Sequence, residues 1–272
     1  MKFTYYTIIG KDLELFKGHV ENVKKYAGFD LLDCEKEFIT IVYQNATIPK
    51  QITKDILNYC EDQNIKSIVY DEPHNIFIDN LYACWNLGYE KSSDGYIFRG
   101  GSDQVFNKNS FLDLYEQAEN LRINHPDKKY ILQANTIENS ERIKQIGAKS
   151  RHFTMDFGTT FWNFDFDSFE SFIEKINKDV ETSLLTIDES LSKWGKPSVL
   201  GTSLGLINRV DGCSWLMTKQ DWLKYGPLPT IENGITGDVI IHDRLQVAGY
   251  EEFIVKNCVT YHFVRGESIN VQ

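Results

Sequence analysis

Apolar and polar positions switch between two registers along the first half of the chain. Phe3 to Ile9 is a buried-strand run, whereas Leu13 to Tyr26 places Leu13, Phe16, Val20 and Val23 at helical spacing. Phe38 to Tyr43 is a second strand, rich in β-branched and aromatic residues. Pro49 opens a helix whose inward stripe is Ile52, Ile56, Leu57 and Cys60. A third short strand, Ser67 to Tyr70, a helix from about Asn80 to Tyr89, and a fourth strand, Tyr96 to Phe98, follow. Strand and helix in alternation predict an α/β, Rossmann-like domain with a mainly parallel central sheet and helices on both faces. Ligands of such sheets bind in the crevice outside the carboxyl ends of the strands.

The second half is less regular. Ser110 is the expected cap of a helix reaching Leu121, with Phe111, Leu114, Tyr115 and Ala118 inward. Tyr130 to Leu132 and Phe153 to Met155 are expected strands. Ser168 to Trp194 carries one long amphipathic stripe (Phe172, Ile173, Ile176, Val180, Leu184, Ile187, Leu191, Trp194) and is expected to be a helix packed on the sheet, ended by Gly195 and Pro197. With six prolines and no Gly/Ser-rich tract, the chain is expected to form a single domain over residues 1–272.

The net charge of −10 argues against a nucleic-acid backbone binder, which needs a basic face, but leaves room for a diphosphate neutralised by a metal ion. Five scattered cysteines without a CxxC pair suggest neither a disulfide framework nor a zinc site, and suit a reducing cytosol. No stretch approaches the ~20 apolar residues of a membrane span, so the expected location is cytoplasmic, or peripheral at a membrane.

Candidate chemistry begins at Asp94-Gly95-Tyr96-Ile97-Phe98-Arg99-Gly100-Gly101-Ser102-Asp103: a turn, a buried strand, and a Gly-Gly-Ser-Asp loop at its carboxyl end. The glycines let backbone approach a ligand, and Asp103 can face the crevice; a solvated turn aspartate is the plain alternative. A second block runs from Gly212 through Gly226-Pro227-Leu228-Pro229 to Gly237-Asp238, Arg244-Leu245 and Ala248-Gly249-Tyr250. A third is Val259-Thr260-Tyr261-His262-Phe263-Val264-Arg265. On its own, Asp238 would complement a helix dipole, and His262 would be a satisfied buried histidine.

Taken in order, the three blocks resemble GT-A glycosyltransferases, most closely the inverting glycosyltransferase family two. The run from Asn86 to Phe106 resembles the family's N-x-G…A-x-G-x-Y-I-x-F…D-x-D segment, in which Gly101-Ser102-Asp103 falls on the D-x-D, with the first acid replaced by Gly101 and the last kept as Asp103. Gly237-Asp238 falls on the E-D pair, with Gly237 in place of the Glu. The resemblance implies a nucleotide-sugar donor held over residues 1–108 and an acceptor side built from residues 109–272. Mn2+ or Mg2+ would be held by Asp103 and His262, with Asp238 as the catalytic base. Donor contacts are expected from Ile9, Asn45, Asn86, Gly101, Ser102 and Arg265. The acceptor (glycan, lipid-linked or protein) is open, because residues 124 to 196 match no motif.

Three rivals remain. A GT-A-like binding module without turnover would explain the two missing acids. A nucleotidyltransferase would need a Gly-rich basic loop after the first strand, for which Gly10-Lys11-Asp12 is thin. A glycoside hydrolase would have to use Asp165 and Asp167, whose expected setting is a solvated loop.

Overall fold

The computed structural model describes residues 1–72, 77–140, 153–194, 199–201, 208–210, 214–229 and 237–263. The alternating registers become β1 (Phe3–Ile9), α1 (Leu13–Glu21, continued as a π-turn over Asn22–Tyr26), β2 (Lys36–Gln44), α2 (Lys50–Asp62), β3 (Lys66–Asp71), α3 (Phe77–Lys91) and β4 (Tyr96–Arg99). Asp12 caps α1 by accepting from the Leu15 amide at 2.9 Å. These four strands are parallel, in the order β3-β2-β1-β4.

Beyond β4 the chain adds β5 (Gln104–Phe106), α4 (Ser110–Asn124), β6 (Tyr130–Asn139), β7 (Phe153–Met155), α5 (Phe166–Asn177), β8 (Leu184–Thr186) and α6 (Ile187–Trp194). A short hairpin, β9 (Val199–Gly201) and β10 (Asn208–Val210), precedes β11 (Trp215–Thr218), α7 (Lys219–Tyr225), α8 (Gly237–Val247) and β12 (Glu251–His262). The sheet continues from β4 through β11, β6 and β12 to β5. β11 and β5 run antiparallel to their neighbours, whereas β6 and β12 are parallel to each other.

Helices cover both faces. Phe16 and Val20 of α1, Ile56 and Cys60 of α2, and Phe111, Leu114 and Ala118 of α4 bury one face with Phe3, Tyr5 and Phe98. Tyr82 and Tyr89 of α3, Trp222 of α7, and Ile241 and Leu245 of α8 bury the other with Tyr6, Ile97 and Trp215.

Two expectations change. The helix predicted over Ser168–Trp194 is two helices with β8 between them. The reason is a sheet edge: among the described residues β5 pairs with Thr260–His262 alone, and the Leu184–Thr186 strand fills the place beside Phe253–Val255. Unpaired backbone along a buried strand is costlier than breaking a helix. The helix at Ser110 has Asn109, in the left-handed region at φ 60°, as its cap, and Ser110 is its first residue. No helix among the described residues is long and apolar enough to cross a membrane.

Candidate functional site

Three strand ends meet where the loop between β4 and β5 turns. In the ladder His262 is flanked by Gln104 of β5 on one side and by Glu138 of β6 on the other. Asp103 immediately precedes β5, and its carbonyl accepts from the Phe263 amide at 3.0 Å, which fastens the loop to the end of β12. Asp103, His262 and Glu138 therefore form a line: Asp103 Oδ2 lies 3.2 Å from His262 Nε2, and His262 Nδ1 lies 3.2 Å from Glu138 Oε1. His262 and Glu138 are buried, whereas the Asp103 side chain keeps 22% of its surface exposed.

The geometry constrains the protons. A neutral imidazole has one N–H. With Nδ1–H donated to the Glu138 carboxylate, Nε2 presents a lone pair to the Asp103 carboxylate, and two lone-pair groups at that distance need a cation between them. A proton supplies one, giving an imidazolium held by two carboxylates. A divalent ion supplies the other, and the oxygen–nitrogen donor set fits Mn2+ or Mg2+ with the carboxylate behind the histidine setting its tautomer. Among the described residues no group of three His, Cys, Asp or Glu side chains converges to cage an ion. Among the described residues, Asp103 and His262 are the two side chains that would hold such an ion.

The loop is held from below. Gln104 Oε1 accepts from the Gly101 amide at 2.7 Å and from Ser214 Oγ at 2.9 Å. His19 of α1 donates from Nδ1 to the Gln104 carbonyl at 2.9 Å and accepts the Tyr5 hydroxyl proton at Nε2, 2.7 Å away. Burial lowers the His19 pKa to about 4, against smaller opposing effects from the Gln104 carbonyl and the Asp103 charge, so the ring is neutral at neutral pH. Burial likewise raises the Tyr5 hydroxyl well above its usual range, with the Asp103 charge adding to the rise.

The glycines of the same loop lie close to their neighbours. A Cβ at Gly101 would stand 2.6 Å from Asp103 Oδ1, and one at Gly100 would collide with the Tyr5 hydroxyl. Gly237, in the slot of the other missing acid, is confined: its Cβ would run into the Pro229 carbonyl and lie 3.3 Å from the Tyr82 ring. Gly237, which meets backbone, is built into the packing, whereas Gly101 meets only the end of the Asp103 side chain.

The remaining expected site residues are dispersed. Ile9 is buried in the core at the end of β1. The Asn45 side-chain oxygen closes a turn after β2, accepting from the Thr47 and Ile48 amides at 2.9 and 3.1 Å. Asn86 exchanges two hydrogen bonds with the Leu228 backbone, at 2.9 and 2.8 Å, and so ties α3 to the segment before α8. The Gly101 amide is taken by Gln104, and Ser102 sits half-buried in the loop. Asp238 falls in the first turn of α8; its side chain, like all of Arg265, lies outside the described residues. Arg244 donates to the Tyr225 carbonyl at 3.2 Å, and Gly249, at φ +84°, ends α8 with the Gly249→Gln246 and Tyr250→Leu245 backbone bonds of a Schellman motif. Asp165 caps α5 through the Ser168 amide at 3.0 Å, which is a structural use of the carboxylate a hydrolase would have needed.

Glu138, Gln104 and His19 were not among the residues expected from the sequence. Glu138 lies in the stretch by which β6 outruns its predicted strand, where Gln133, Asn135, Thr136 and Glu138 are all buried. Buried polar residues erase the alternation that marks a strand. His19 is a lone histidine on an amphipathic helix, and no local pattern singles it out.

Comparison with known proteins is informative at the level of structure. No family model matches the chain, and no curated protein matches it by sequence. Among solved structures it is similar to GalNAc-T7 with UDP, GalNAc and Mn2+, at a TM-score of 0.56 and 11% identity, covering 98% of this chain and 44% of that one. It is similar to S. aureus TarS 1–349 in complex with UDP-GlcNAc (TM-score 0.55, 10% identity, 98% of this chain and 59% of that one). It is also similar to the mannosyltransferase PcManGT from Pyrobaculum calidifontis with GDP-Man and Mn2+ (TM-score 0.54, 9% identity, 98% and 58%). The fold is that of the GT-A glycosyltransferases. The chain spans about half the length of these structures.

Proposed function

We propose that the chain is a glycosyltransferase that moves a sugar from a nucleotide-sugar donor to an acceptor hydroxyl, with inversion and with a divalent cation. The observation that supports this reading is the Asp103–His262–Glu138 line at the carboxyl end of the sheet, in which a carboxylate oxygen and an imidazole nitrogen face each other at 3.2 Å, a donor pair between which a divalent cation would fit. Two of the similar structures are complexes with Mn2+, and all three are complexes with a nucleotide or nucleotide sugar, which supports the same assignment.

In this reading Asp103 and His262 hold the ion, and Glu138 keeps the His262 Nε2 lone pair directed at it. When bound, a divalent ion stabilises the charge of a nucleoside diphosphate leaving group. Asp238 takes the proton of the acceptor hydroxyl. His19, Tyr5 and Gln104 hold the loop in place, so that Asp103 need not be reorganised during the reaction. The donor-side contacts proposed for Ile9, Asn45, Asn86, Gly101, Ser102 and Arg265 are secondary to this: Asn86 and Asn45 would contribute by shaping the crevice walls they brace.

The test is thermal shift of the purified protein with uridine and guanosine diphosphate sugars, with and without Mn2+. A ligand at a hundredfold excess over its dissociation constant adds ~2.7 kcal/mol of stability. Asp103→Ala should abolish the Mn2+-dependent part and leave the unliganded melting temperature nearly unchanged. A parent that shows no metal-dependent shift with any donor, or a variant that shifts as the parent does, refutes the reading. A binding module without turnover draws support from Gly101 and Gly237, the glycines at both missing acids. Donor hydrolysis or transfer by the parent separates the two.

A further inference from the structure

Arg99 ends β4, directly before the Gly-Gly-Ser-Asp loop, and is only 1% exposed. Its guanidinium carbon packs on two indoles, 3.8 Å from the centroid of Trp85 and 4.8 Å from that of Trp215. None of its three nitrogens has an acceptor in close hydrogen-bond geometry, the Tyr6 hydroxyl lying near enough to interact only weakly, and no carboxylate among the described residues pairs with it. This holds in a chain where 39 acidic residues outnumber 29 basic ones. Its neighbours offer more donors. The Trp215 indole N–H and the Tyr89 hydroxyl are also buried, and lie near enough to interact weakly with each other. The Tyr6 hydroxyl, close enough to feel the cation, donates instead to the Trp85 carbonyl at 3.2 Å. The buried Glu252 carboxylate is engaged by His242 Nδ1 at 2.7 Å, and the His242 ring packs on Trp215 with 4.3 Å between centroids.

A buried guanidinium is ordinarily paired, because two aromatic faces replace only part of the hydration it loses and none of its in-plane hydrogen bonds. Here the guanidinium has no carboxylate partner among the described residues, and Arg99 is the last residue of a central strand, the end at which sheets of this kind bind their ligands. Trp85, half-buried on α3, forms its outer cover.

We infer that the sugar substrate of this crevice carries an anionic group, a carboxylate or a phosphate, which Arg99 receives in its guanidinium plane. The inference rests on the glycosyltransferase reading for the word sugar, and on Arg99 alone for the charge. A bidentate contact of this kind separates an acidic sugar from its neutral counterpart by about tenfold to a hundredfold in affinity.

The experiment is calorimetric titration of the parent and of Arg99→Met, which keeps an apolar stem between the indoles. The nucleotide-linked pairs are UDP-glucuronate against UDP-glucose and GDP-mannuronate against GDP-mannose. The free pairs, in the presence of UDP or GDP and Mn2+, are glucuronate and glucose 6-phosphate against glucose. A preference confined to the nucleotide-linked pairs places the charge on the donor, and one confined to the free sugars places it on the acceptor. The expected result is a preference of at least tenfold for the acidic member in one arm, absent from Arg99→Met. Equal binding of acidic and neutral members by the parent in both arms overturns the inference, as does a preference that survives in Arg99→Met. If the variant does not unfold cooperatively, the parent comparison decides alone. Binding of UDP and GDP with Mn2+, measured in the same samples, tests the glycosyltransferase reading separately. Its absence beside an Arg99-dependent preference for free uronate would sink that reading and leave the anion site standing.

Discussion

Acidification should destabilise this protein through His19 before most of its carboxylates titrate. The ring is fully buried, its Nδ1–H is committed to the Gln104 carbonyl and its Nε2 to the Tyr5 hydroxyl, so the folded state resists the added charge. Its pKa falls from 6.5 to about 4 on folding. For a base with a depressed folded pKa, the unfolded chain binds the proton first. Stability is therefore intact above the unfolded value, declines as pH drops through 6.5, and levels off below the folded value. At 1.36 kcal/mol per pKa unit, the loss attributable to this residue is about 2 kcal/mol by pH 5 and approaches 3 kcal/mol near pH 4. The assay is urea unfolding between pH 7 and pH 4.5 for the parent and for His19→Gln, whose amide keeps a donor toward the Gln104 carbonyl but does not titrate. The parent should lose about 2 kcal/mol more than the variant on going from pH 7 to pH 5. Parallel pH profiles for the two proteins would refute the reasoning, since the variant lacks only the proton-binding site.

Glu138→Gln removes the acceptor charge behind His262 and should weaken Mn2+ affinity by ~10–100-fold in a metal titration followed by nucleotide binding, while the neutral analogue His262→Gln should lose more. Asp238→Asn should lower the transfer rate by ~10²–10⁴-fold at saturating donor with donor affinity little changed; a parental rate would move the search for the base to Asp243 or Glu232. Restoring the family acid as Gly101→Asp should impair Mn2+-dependent donor binding, because its Cβ enters the space of Asp103 Oδ1; improved binding would show that the loop accommodates both acids.

Strands and helices of the first half were legible because each buries one face against the sheet, so periodicity records the packing: Phe16 and Val20 of α1 and Ile56 and Cys60 of α2 sit inward as their spacing required. The Gly-Gly-Ser-Asp loop and the helix start at Gly237-Asp238 were legible as motifs, and so was the pairing of Asp103 with His262, although 159 positions separate them. What local pattern could not carry was whatever depends on a neighbour supplied from far along the chain. The Ser168–Trp194 stripe suits a helix by itself, and only the place beside Phe253–Val255 turns its middle into a strand. Glu138 acquires its part because the parallel pairing of β6 with β12 sets it beside His262. Arg99 looks like an ordinary charged residue at a strand end until α3 and β11 close two indoles over it. Burial and partnership are properties of the assembled sheet, and a single strand does not encode which groups will be left buried without a partner.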